Sequence, residues 1–71
     1  MLIGMLWFNN DPKMELEKKI EDAVHYYETK HGKRPNLCYV HPSMTQLERV
    51  GTIEIKKSRS VLPNHFWIGV E

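Results

Sequence analysis

The segment from Asp11 to Gly32 constrains this chain more than any other. Leu16, Ile20, Ala23, Val24 and Tyr27 stand at i, i+4, i+7, i+8 and i+11, which is one apolar stripe of an α-helix. Glu17, Glu21, Asp22 and Glu28 fall on the other side, and Glu15 is spaced to pair with Lys19 at i+4. Asp11 suits an N-cap with Pro12 at the first helical position, where a missing N–H costs nothing. Gly32 supplies a left-handed C-cap behind Lys30 and His31, which complement the negative helix end. The spacing predicts a helix over 12–31. A single apolar stripe must be laid on another element, so the flanking segments have to supply a sheet.

They read as strands. "LIGMLWF" (2–8) is a short apolar run closed by the turn "NNDP". Leu2, Leu6 and Phe8 face one side and Ile3, Met5 and Trp7 the other, and apolar residues on both faces predict a central strand. After the turn "KRPN", "LCYVH" reads as a second strand, parallel to the first through a right-handed β-α-β unit. Ser43 and Gln46 have capping-box spacing before "MTQLERV", which predicts a short helix ending at Gly51. "TIEIKK" alternates as a half-exposed strand. "SRSVLPN" is a loop, and "HFWIGV" a last strand antiparallel to the third. The expected fold is α/β, bordering on α+β: a mixed four-stranded sheet in the order β-α-β-(short α)-β-β. The first and fourth strands lie in the middle, and the helices cover opposite faces. No repeat or linker interrupts it, so 1–71 reads as one domain. The short helix covers its face thinly, which exposes Trp7 or Trp67 there and predicts a homodimer or partner interface.

Composition narrows the function classes. With 71 residues, 41% hydrophobic and 27% charged, the chain is a folded globular type rather than a disordered one. Its one cysteine cannot form an internal disulfide, which favours a reducing, cytoplasmic setting. The opening apolar run is too short for a membrane span and lacks the basic leader and cleavage site of a signal peptide. Residues 1–29 carry six acids against three lysines, and residues 30–71 carry seven Lys/Arg against three acids, so the net charge of +1 conceals −3 and +4. This segregation fits a solvated acidic helix beside basic loops.

Few residues invite chemistry. Cys38 and His41 are three apart on an extended strand and so point to opposite faces, which rules out a Cys–His dyad. Cys38 reads as a small buried hydrophobe. His25, His31, His41 and His65 are scattered, with no CxxC, HxxxH or HExxH pattern, so no metal or other cofactor is predicted. No Gly-rich phosphate loop or nucleophile elbow is present, and the reading leans against an enzyme; its weakest form uses His41 with Asn9 and Asp11.

The ligand-binding candidates are Asn9, Asn10, His41, Ser43, Lys56, Lys57 and Arg59. The first four sit where parallel strands end, the usual crevice of an open α/β sheet, near the expected N-termini of both helices, and Lys56, Lys57 and Arg59 approach from the same end if the third strand is parallel to the first two. The plainer alternative makes Asn9 a turn residue, Asp11 and Ser43 caps, and His41 merely exposed. Lys30, Lys33 and Arg34 lie at the opposite end, and neither basic cluster has aromatics interleaved along the chain as single-strand binders do. Tyr26, Tyr27 and Tyr39 read as core or core-edge residues. The expected function is therefore a non-catalytic interaction module that self-associates through the thinly covered sheet face or an edge strand. The alternative is nucleic-acid or anionic-ligand binding near His41, Lys56 and Arg59.

Overall fold

The computed structural model describes residues 3–44 and 47–70. Strand β1 (Ile3–Phe8) leads into helix α1 (Leu16–His31), then β2 (Leu37–Val40), β3 (Arg49–Val50), β4 (Ile53–Lys57) and β5 (His65–Val70). The strands form one mixed sheet in the order β1-β5-β2-β4-β3. β5 is antiparallel to both β1 and β2, β2 is parallel to β4, and β3 is antiparallel to β4.

The helix carries the expected stripe. Ile20, Ala23, Val24 and Tyr27 are buried, and Leu16 packs against the same cluster. Gly32 adopts φ 70 and its N–H donates to the Glu28 carbonyl at 2.8 Å, closing the helix as predicted. The start is later than expected. Asp11 accepts the Lys13 amide on its carboxylate (2.9 Å) and the Met14 amide on its carbonyl (3.3 Å), forming a turn of its own. The helix then begins behind Glu15, which is extended and makes no side-chain cap. Its i,i+4 ion pair is Lys18–Asp22 at 3.1 Å, whereas Lys19 is buried.

Three expectations about the sheet are corrected. The short helix over 44–50 is not formed. Thr45 and Gln46 lie outside the described residues, but Met44 closes a turn onto the His41 carbonyl and Arg49–Val50 is a strand. Gly51, at φ 59, is the first residue of a two-residue turn pairing Val50 with Ile53, the Gly-X pattern of a hairpin. The sheet consequently has five strands and the described fold one helix. β1 is an edge strand, not a central one, because β5 takes the place between β1 and β2. β5 runs opposite to β4 as expected, yet β2 separates them.

One face of the sheet packs on α1. Cys38, Val40, Ile53, Ile55, Phe66 and Ile68 are buried there with the helix stripe, and Met5, Trp7, Val50 and Val70 pack partly against them. With no second helix, the other face has no helix over it among the described residues.

Candidate functional site

β1, β2 and β4 run the same way, so their C-terminal ends share one end of the sheet. Asn9, Asn10, His41, Ser43, Lys57 and Arg59 stand at or beyond those ends. They are not gathered into a crevice, because the start of β5 stands between β1 and β2. The Asn9 amide donates to the Asn64 carbonyl at 3.0 Å, continuing the ladder. The Asn9 side chain accepts the Asp11 amide (2.9 Å) and donates toward the Met14 sulfur (3.4 Å). Lys57 donates to the Leu47 carbonyl at 3.1 Å. α1 begins five residues after Asp11, and no second helix is described, so the pair of helix N-termini expected beside these groups is not assembled there.

His41 and Ser43 meet each other. The Ser43 amide donates to His41 Nδ1 at 3.1 Å, and the Ser43 hydroxyl lies 2.7 Å from the same nitrogen. An amide proton already directed at Nδ1 makes that nitrogen the acceptor and leaves the proton of the neutral ring on Nε2. The contact closes a turn around Pro42. It lacks the rest of a nucleophilic site, since no described side chain bonds Nε2 to orient the ring. Cys38 is inert: fully buried, its thiol is pushed up to about 12 by desolvation. Among the described residues no cluster of His, Cys, Asp and Glu could hold a metal ion.

A different surface emerges on the face away from α1. The register lines up Leu6, Trp67, Tyr39 and Lys56 in one row across four strands. Gly4, Gly69, Leu37 and Glu54 form the next row on one side, and Phe8 and His65 pair on the other. Leu6 and Phe8 are 62% and 55% exposed, and Leu62 in the preceding loop 63%. Phe8 stacks on His65 with centroids 4.7 Å apart, and Tyr39 meets Trp67 edge-on at 5.7 Å. Trp67 lies across Gly4: a Cβ on that glycine would stand 2.7 Å from Trp67 Cε2 and 2.5 Å from the Ile68 carbonyl oxygen. A hollow of about 370 Å³ opens between Leu6, Ser60, Val61, Leu62, His65 and Trp67.

Trp67 and Lys56 are expected from the sequence and lie on this face; Trp7 does not. Trp7 turns toward the helix, stacks on Tyr26 at 5.0 Å, and buries its Nε1–H with no acceptor among the described residues. Leu6, Phe8, Tyr39, His65 and Leu62 are site residues that sequence reasoning misses. The alternation of the first strand signals Leu6 and Phe8 as one face, but only the missing helix shows that face to be open. Tyr39 beside Lys56 is a cross-strand relation invisible along the chain.

These features define a small mixed α/β protein with one helix-covered sheet face and, on the other, an exposed apolar and aromatic patch around Leu6, Phe8 and Leu62 beside the buried Leu37. Comparison with protein-family models, curated proteins and solved structures finds no match.

Proposed function

We propose that this chain is a non-catalytic, single-domain interaction module of the cytoplasm that self-associates as a homodimer through the open sheet face or its edge strand β1. One observation carries the reading: Leu6, Phe8 and Leu62 are all more than half exposed on a face with no helix over it among the described residues, Leu6 and Leu62 lining one hollow with Trp67 and Phe8 lying on His65 beside it. Contiguous exposed apolar surface of this kind is removed from water by association at ~25 cal/mol per Å² buried. No described helix is long and apolar enough to cross a membrane. Sedimentation velocity across a dilution series tests the proposal. The 8.4 kDa chain should pass to a species of twice that mass as concentration rises through the micromolar range. A monomer throughout would reject it.

A second reading is favoured by one feature, the interleaving of Trp67, Tyr39 and Lys56 in a single row. Aromatic faces beside basic groups suit stacking of single-stranded nucleic-acid bases, with Arg59 and His41 at the strand ends to meet phosphates. Titrating a short single-stranded oligonucleotide while following Trp67 emission checks it. Binding should weaken steeply between low and physiological salt. No binding at low salt removes this reading and leaves the first intact.

A further inference from the structure

The edge of the sheet carries a more specific arrangement, which rests on the self-association just proposed. In an antiparallel ladder, alternate residues turn their N–H and C=O groups toward the partner strand and the others away from it. The Asn9 amide reaches the Asn64 carbonyl, and Asn9 continues the Phe8–His65 register, so the odd-numbered positions of β1 face β5. The main-chain groups of Gly4, Leu6 and Phe8 therefore point out of the sheet edge.

That edge is unprotected. Ile3–Phe8 has six residues with no proline and no ionisable side chain. Proteins ordinarily blunt such an edge with charge, proline or shortness. The opposite edge of this sheet is blunted, being the two-residue β3 with an exposed Arg49. The free edge also has apolar groups above and below it. Leu6 and Phe8 project on the open face, and on the helix face Tyr26, 48% exposed, lies over Trp7.

We infer that β1 is the seam of a two-fold homodimer, pairing antiparallel with β1 of a second copy so that two five-stranded sheets join into one. The outward groups fix the register. Leu6 pairs with Leu6 across the two-fold axis, Gly4 with Phe8 of the other copy, and Met5 with Trp7 of the other copy on the helix face. Each pairing is chemically matched: Phe8 of the other copy meets the Trp67 ring that already lies across Gly4, and a thioether meets an indole. An uncharged strand meets its own copy without like-charge cost. α1 packs over β5, so the two helices stand three strand spacings apart, about 14 Å, with Trp7 and Tyr26 of both copies between them.

The area sets the affinity class. From the exposures of Leu6, Phe8 and Tyr26, and ~150–250 Å² per large side chain, the side chains bring roughly 600 Å² from both copies together. The main-chain edge raises this toward the ~1,000 Å² of a weak but specific interface. The seam is thus a micromolar contact, not an obligate one.

Two Leu6 substitutions separate this seam from association through the open face alone. Leu6→Ala trims the side chain and keeps the outward N–H. Leu6→Pro also removes that N–H while sparing the ladder to β5. Two inter-copy hydrogen bonds at the axis are lost with proline, so its dimer should dissociate about 30-fold more readily than that of Leu6→Ala. Equal dissociation constants for the two variants would overturn the seam. Amide exchange of the unmodified protein at two concentrations separates the same alternatives without a variant. Gly4, Leu6 and Phe8 should become protected as the dimer forms. A dimer in which those three amides exchange at an unchanged rate overturns the seam but not self-association, and a monomer at every concentration overturns both.

Discussion

Gly4→Ala puts the packing of the open face to a quantitative test. A strand glycine is ordinarily a liability, and alanine there should gain ~0.5–1 kcal/mol by reducing the freedom of the unfolded chain. At Gly4 the added methyl would stand 2.5 Å from the Ile68 carbonyl oxygen and 2.7 Å from Trp67 Cε2. Ordinary van der Waals contact begins near 3.4 Å. The indole can swing away, giving up its cover over β1. The carbonyl belongs to the partner strand and yields only if β1 shifts off β5. Overpacking of this kind costs ~1–3 kcal/mol, and the main-chain clash argues for the upper half. The net loss is then about 1–2.5 kcal/mol, against a total of ~4–11 kcal/mol for a chain this size. At ~4–8 °C per kcal/mol, the melting temperature should fall by about 4–20 °C. Thermal and urea unfolding, run dilute enough to hold the monomer, give the stability. Trp67 emission, read in a Trp7→Phe background, reports whether the ring has moved toward water. Stability equal to or above that of the parent, with unchanged emission, would refute the packing of Trp67 over Gly4.

Three further outcomes follow from the core and the strand ends. Phe66 is fully buried at the centre of the helix-covered face, so Phe66→Ala should cost ~3–5 kcal/mol and leave a large unfolded fraction by circular dichroism; a loss under ~1 kcal/mol would contradict its central position. Burial raises the Cys38 thiol from 9.0 to about 12. The unfolded chain therefore gives up that proton first, and the thiol's contribution, complete below pH 9, is lost between about 9 and about 12 at ~1.4 kcal/mol per pH unit. A thiol reagent at pH 8 should accordingly label Cys38 only as fast as the protein unfolds, and rapid labelling of the folded chain would contradict its burial. His41→Ala removes only the exposed contacts with Ser43. It should cost under ~1 kcal/mol and leave the sedimentation profile unchanged, whereas loss of the dimer would move the working surface to the strand ends.

Local pattern carries much of the fold. The helix stripe, the Gly32 cap and the buried Cys38 are decided by spacing within a turn or two, and so they are legible along the chain. The expected helix start is too early because Asp11-Pro12 is a helix signal that this chain spends on a separate turn. The hairpin at Val50-Gly51-Thr52-Ile53 is hidden by a competing capping-box pattern at Ser43 and Gln46, although Gly-Thr between two β-branched residues is itself a turn signal. Strand order cannot be read locally: β5 reaches its place by passing over β2, where its small Gly69 and its Trp67 meet Gly4 and Leu6 of β1. The open face is legible only in halves. The alternation of β1 marks Leu6 and Phe8 as neighbours, but their exposure depends on what does not cover them, and the Tyr39–Lys56 neighbourhood depends on register.

Dilution-dependent amide and indole chemical shifts report association and its location together. If the open face and its edge strand form the dimer, the signals of Gly4, Leu6, Phe8, Leu62 and the Trp67 indole move as concentration falls through the micromolar range, while Glu17, Glu21 and His25 on the solvent side of α1 stay fixed. Shifts that do not change with concentration, or that change only along the helix, would contradict it.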